Sequence, residues 1–286
     1  MLTTKSEPWV RVAIYLVIIG LALEVAYRVY WNLNSRAKQL TVGPIPKSFM
    51  MAGAASLPLV TALVITFVFC RCIDDRSLAD IGLRPGAKPA LELGVGLIVA
   101  IASVAMIFLV GRLFGWFRIQ SFNLGADRGV GIPVFCGGVT DFVAAPIFEE
   151  IMMRGYVFSV LYRALGAPIA VIGSSVLFSL AHLIKHSRLP LLYTINAFFF
   201  GVLVAHSRLI TGALWAPIGI HMGWNFAFLL LGLPFAGQLC ETGLITCSVE
   251  GPQFVTGGYY SPAAGLLGAV GLAVAASALT AFTPIF

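Results

Sequence analysis

Long apolar runs separated by short polar interruptions dominate the chain, and their lengths set the elements. Runs over 11–31, 49–70 and 91–114 each approach the ~20 residues that a helix needs to cross a bilayer. Five more follow, at 132–161, 168–184, 189–206, 213–233 and 262–283. The pattern predicts an all-α polytopic membrane protein with about eight transmembrane helices. Short gaps between spans four, five, six and seven imply a compact bundle. Three parts result: residues 1–131 with spans one to three, a four-helix core over 132–233, and 234–286 with a loop and span eight. The first run begins after Lys5 and Arg11, lacks a small-residue cleavage site and ends in Tyr27, Tyr30 and Trp31, so it reads as a retained span. Between spans two and three, Asp74, Asp75, Arg76, Asp80 and Arg84 surround Leu78, Ile81 and Leu83, which suits a polar loop with a short surface helix. Pro146 is expected to kink span four or loosen its hydrogen-bond ladder.

Composition removes whole classes of function. The 286 residues are 59% hydrophobic and 10% charged, with a mean hydropathy of +0.95, whereas soluble domains carry about 25% charged residues. A net charge of +6 without a basic patch interleaved with aromatics leaves the lipid bilayer, and not nucleic acid, as the partner. Five cysteines form no CxxC and no zinc-spaced His/Cys cluster. Cys70, Cys72 and Cys136 read as small hydrophobes. Cys240 and Cys247 share a loop free of Lys and Arg, where a disulfide is an open option. Basic residues divide almost evenly between the two sides, so orientation rests on that loop. It suits the outer face, which puts both termini in the cytoplasm of a prokaryotic plasma membrane.

The polar residues inside the spans carry the chemistry. Span four contains Glu149, Glu150 and Arg154 in six residues, and a charge near the bilayer centre costs roughly 2.5–3.5 kcal/mol on insertion scales. Glu150 and Arg154 are i and i+4 and can pair. The i+4 neighbour of Glu149 is the uncharged Met153, which makes Glu149 the candidate for chemistry. Span five places Phe178 and His182 on one face, and span seven does the same with His221 and Asn225. Singly, an intramembrane His or Asn reads as an interhelical hydrogen bond worth about 1–2 kcal/mol or less. Two carboxylates, two imidazoles, an amide and a guanidinium on three neighbouring helices exceed what packing requires. A carboxylate sheltered in a low-dielectric pocket suits general-base work, an imidazole can polarise a water, and His with Asn can donate to an oxyanion. Ser174, Ser175 and Ser179 read as packing residues, so water activated by a glutamate is the simplest scheme. His186 and His206 sit beside basic residues and read as interfacial. Asn196 and Asp141 are secondary cavity candidates, and Glu24 with Arg28 reads as a structural pair.

Together, Glu149-Glu150-x-x-x-Arg154, Phe178-x-x-x-His182 and His221-x-x-x-Asn225 resemble the three motifs of the membrane-embedded CAAX protease and bacteriocin-processing (CPBP) family, which includes the Ras-converting CAAX endopeptidase. The resemblance covers about residues 132–230, and Leu78-Ala-Asp-Ile-Gly-Leu-Arg84 looks like a stretch seen upstream in bacterial members. It implies a conical or bundle-like core acting as a glutamate-dependent intramembrane endopeptidase without a cofactor. By carry-over, Glu149 activates the hydrolytic water with help from His182. His221 and Asn225 form the oxyanion site, and Glu150 and Arg154 support them. The implied partner is a membrane-anchored, lipidated or secreted-peptide substrate. Two alternatives stay open: a zinc-dependent protease using the same residues, and a non-catalytic scaffold or transporter-like protein. Against zinc stands the lack of a His-Glu-x-x-His motif, and against a transporter the lack of an inverted repeat.

Overall fold

A computed structural model describes residues 7–39, 53, 56–85, 88–122, 143–185, 190–235 and 243–283. The apolar runs form helices: α1 Pro8–Gln39, α2 Leu57–Val68 and α3 Pro89–Leu113. The acidic-pair helix, α4, occupies 143–165 and has three parts. Residues 143–150 are α-helical, Ile151–Val157 form a π-helix, and Phe158–Leu165 return to α geometry. Then come α5 Ala167–Lys185, α6 Leu191–Thr211, α7 Trp215–Leu230 and α8 Leu266–Phe282. The all-α polytopic membrane architecture therefore stands. Pro8–Leu33, Pro89–Leu113 and Leu191–Thr211 are long and apolar enough to cross a bilayer alone, while Leu57–Ile73, Ala167–Leu183 and Leu266–Phe282 are shorter apolar helices. Large apolar side chains such as Val17, Leu21, Ile98 and Leu109 point outward, as a lipid-facing exterior requires.

What positions the site is the seam between α3 and α7, the most extensive helix pairing among the described residues. Gly219 and Gly223 lie four apart on α7 and meet the α3 backbone at Leu93 and Leu97, while Gly96 of α3 meets the α7 backbone from Ala216 to Ile220. A Cβ on Gly96 would fall 2.5 Å from the Ala216 carbonyl oxygen, and one on Gly223 would fall 2.7 Å from that of Leu97. Lipid supplies no hydrophobic drive for two helices to associate, so small residues that let backbones touch are what holds them. Helix α5 packs on α6, and α8 closes against α3 and α6.

Three details depart from the sequence expectation. Pro146 sits within the α-helical stretch 143–150, and the widened ladder comes after the acidic pair, in the π segment 151–157. Residues read as loop on either side of the bundle include a two-stranded antiparallel ribbon, β1 Phe117–Phe122 with β2 Ile245–Val249. Its side chains alternate inward and outward, and Phe117, Ile245 and Cys247 are the buried ones. Cys247 is a free thiol that burial pushes up to about 11; Cys240 lies outside the described residues, as do Cys136, Asp141 and His186. Asn196, offered as a cavity residue, donates from Nδ2 to the carbonyls of Ala263 (2.8 Å) and Gly265 (3.0 Å), which ties α6 to the turn before α8. The Glu24–Arg28 pair forms at 2.8 Å on the exposed face of α1.

Candidate active site

Glu150 and Arg154 leave α4 on one side and are fully buried, Arg154 being the largest side chain with no exposure at all. Arg154 Nη1 donates to Glu150 Oε1 at 3.4 Å and Nη2 donates to the Gly201 carbonyl of α6 at 3.1 Å. Its guanidinium lies 4.5 Å above the centroid of the Phe178 ring. The arrangement gives the Phe178 position of α5 a physical job, since a ring face stabilises a desolvated cation by up to ~2 kcal/mol. Gly201 is small because a Cβ there would come within 3.1 Å of Arg154 Nη2.

His221 reaches the acidic pair from α7. Its Nδ1 is 2.8 Å from Glu150 Oε1, and its Nε2 is 3.8 Å from Glu149 Oε2. An ionised carboxylate paired with a guanidinium only accepts, so Nδ1–H is the donor and Nε2 is left to face Glu149. The ring is clamped between Phe200 and Phe178, with centroids 5.0 and 5.9 Å away. The two glutamates therefore differ in kind. The Glu150 side chain has no exposure, whereas that of Glu149 is 20% exposed.

His182 lies one turn beyond Phe178 near the end of α5. Its Nδ1–H donates to the Phe178 carbonyl at 3.0 Å, making Nε2 the acceptor in the neutral ring. The ring centroid is 4.5 Å from that of Phe178 and 6.3 Å from that of Tyr193 on α6. Tyr193 in turn packs edge-on against Tyr260, at 5.2 Å. Asn225 is buried one turn along α7 from His221, on the same side of the helix. His206 of α6 is exposed and apart from this group.

The contacts shown thus join Glu149, Glu150, Arg154, His221 and Phe178 directly, with His182 attached through Phe178. Sequence reasoning missed Tyr193 and Tyr260, whose signal was an aromatic at each end of apolar runs. Among the described residues no three His, Cys, Asp or Glu side chains are grouped to hold a metal ion. The set can abstract a proton, through Glu149, and present a fixed imidazole edge beside the atom that receives it.

The site residues lie inside a segment that is similar to known proteins. Residues 132–227 match the family described as type II CAAX prenyl endopeptidase Rce1-like. The chain is similar to a Bacillus subtilis (strain 168) protein named "Putative membrane peptidase YdiL". The two are 25% identical over 187 residues, covering 62% of this chain and 70% of that one. No solved structure matches the chain.

Proposed function

We propose that the chain is a membrane peptidase of the CAAX protease and bacteriocin-processing family, supported by the match of residues 132–227 and by its 25% identical relative, and that Glu149 is its hydrolytic base. In this reading Glu149 takes a proton from a water as the water attacks a peptide carbonyl. His182 helps to orient that water. His221, its Nδ1–H anchored on Glu150, offers Nε2–H to the oxygen that becomes negative when the ring carries both protons, and the Asn225 amide is the second donor. The observation that carries this is the 3.8 Å between Glu149 Oε2 and His221 Nε2. The two oxygens of a tetrahedral adduct share one carbon, so the base and the donor that serve them must be near neighbours. No step requires a metal. The substrate class we propose is a membrane-anchored or lipidated peptide, or a secreted-peptide precursor, cut near the membrane surface. Both termini are proposed to be cytoplasmic.

The test is a comparison of wild type, Glu149→Gln and His182→Ala in detergent, on prenylated and unmodified fluorogenic peptides, with and without a strong chelator. The glutamate reading expects Glu149→Gln to stay folded and lose about 10²–10⁴-fold in rate, with the chelator having no effect. Wild-type cleavage by Glu149→Gln, or inactivation by the chelator that added zinc reverses, overturns it.

A further inference from the structure

At the opposite end of α4 from the glutamates is a cavity of about 330 Å³ lined by Arg76, Arg84, Arg163, Arg208 and Asp80, with Phe158, Tyr162 and Leu209 as apolar walls. Its lining residues on α4, Phe158 to Arg163, lie eight to thirteen residues along the helix from Glu150, roughly 12–20 Å away, and take no part in the reading above. Four guanidiniums face one carboxylate, and that carboxylate is already engaged. Asp80 accepts from Ser77 Oγ at 2.7 Å and from Ser77 N–H at 2.9 Å in a capping box. Arg163 Nη2 donates to the backbone carbonyl of Asp80 at 2.8 Å, and Arg84 Nε donates to that of Ala79 at 3.4 Å. Both of these hydrogen bonds go to backbone carbonyls and neither to a carboxylate.

Arg208 is the decisive residue. It is 7% exposed, and its Nε is buried with no hydrogen-bond partner among the described residues. A buried guanidinium donor left without an acceptor is costly, and an anion entering the cavity would complete it. The backbone is shaped around it. Gly82 holds φ +102°, and a Cβ there would sit 2.8 Å from Arg208 Cζ, so only glycine lets the 78–84 turn lie against the guanidinium. Leu214 N–H then bonds to the Gly82 carbonyl at 2.9 Å, locking that turn to the start of α7. The Leu78–Arg84 segment, which the catalytic reading leaves without a purpose, is thus the wall that holds Arg208 in place.

We propose that this cavity is a binding site for a phosphate group. A phosphate offers three acceptor oxygens and up to two negative charges, which suits several guanidiniums better than a single carboxylate does. The position, at the ends of α4 and α6 beside apolar walls, is where a phospholipid headgroup lies at a membrane surface. A free phosphate or phosphate ester has the same chemistry.

The experiment uses the full chain, delipidated in a neutral detergent, and follows thermal unfolding. One arm adds inorganic phosphate against chloride at matched ionic strength, and the other adds phosphatidylglycerol against phosphatidylcholine. The expected result is a rise in midpoint of about 5 °C at roughly 100 times the dissociation constant in at least one arm. A response to inorganic phosphate alone assigns a free phosphate, and one to phosphatidylglycerol alone assigns the headgroup; a response to both assigns the phosphate group itself. Arg208→Gln and the exposed Arg84→Gln should each need roughly ten-fold more ligand for the same shift. If Arg208→Gln does not fold, Arg84→Gln decides. No shift in either arm, or equal shifts in wild type and Arg84→Gln, overturns the proposal and leaves the peptidase reading untouched.

Discussion

Glu150 Oε1 accepts a hydrogen bond from His221 Nδ1 at 2.8 Å, although the two residues are 71 positions apart. One oxygen therefore serves both the guanidinium of its own helix and the imidazole of another. Glu150→Ala strands a fully buried Arg154 and frees the ring of His221. A loss of ~3–5 kcal/mol is expected, as for other buried pairs stripped of one partner, together with loss of cleavage. Glu150→Gln keeps the shape and should stay folded while cleaving at least ten-fold more slowly, because its amide oxygen holds the ring without a charge. Unfolding midpoints and cleavage rates of the two variants check this, and an Ala variant as stable as wild type contradicts it.

The α3–α7 seam makes a separate prediction. Gly223→Ala puts a methyl 2.7 Å from the Leu97 carbonyl oxygen, and backbone cannot step aside as a side chain can. A cost of about 1–3 kcal/mol is expected, with kcat falling more than KM rises, since the shifted helix carries His221. Gly94→Ala, on the same α3 but with nothing within 4 Å of the new Cβ, is the control and should match or exceed wild-type stability. Equal behaviour of the two variants in thermal unfolding would remove the seam's role.

Acid should weaken one cap selectively. Hydrogen bonds from the Ser77 hydroxyl and then its N–H hold the Asp80 carboxyl below the usual carboxylate range, with Arg76 and Arg163 adding to the effect. The folded value lies below the unfolded one, so the stabilisation is complete above the ordinary aspartate value of ~3.9 and fades as pH falls through the lower folded value. The midpoint difference between wild type and Asp80→Ala should be constant from neutral pH down to about pH 5 and narrow below about pH 4. A difference that widens on acidification contradicts the cap.

Cysteine labelling should discriminate by burial. Cys247, sealed under the ribbon and pushed up to about 11, has almost no thiolate at pH 8. Cys72 is exposed. Brief maleimide treatment of the folded protein, read by peptide mass spectrometry, should modify Cys72 and spare Cys247 until denaturant is added. Rapid labelling of Cys247 in the native state counts against the ribbon's packing.

What was legible in the sequence was whatever lies within one helix. Glu150 with Arg154 and Glu24 with Arg28 follow from a spacing of four, and both pairs form. The apolar runs gave the helices for the same reason, since burial in lipid leaves a continuous signal. Contacts between helices were not readable. Nothing local says that His221 turns its Nδ1 to Glu150, that Phe178 lies under Arg154, or that Asn196 caps a distant turn rather than lining a cavity. The ribbon escaped notice because six- and five-residue strands at the bundle's edge are short beside the spans. The π segment escaped because Pro146 marked span four for a loosened ladder without saying where along it the widening would fall.

The glycine contacts of α3 and α7 also work as an index mark. With backbone against backbone, neither helix can slide or roll by a small amount to absorb an error. A single residue inserted into α7 between Gly219 and His221 would swing the imidazole by about 100°. That length is therefore under tighter constraint than the identity of the apolar residues around it, and natural variation in this helix should show substitutions but no gaps.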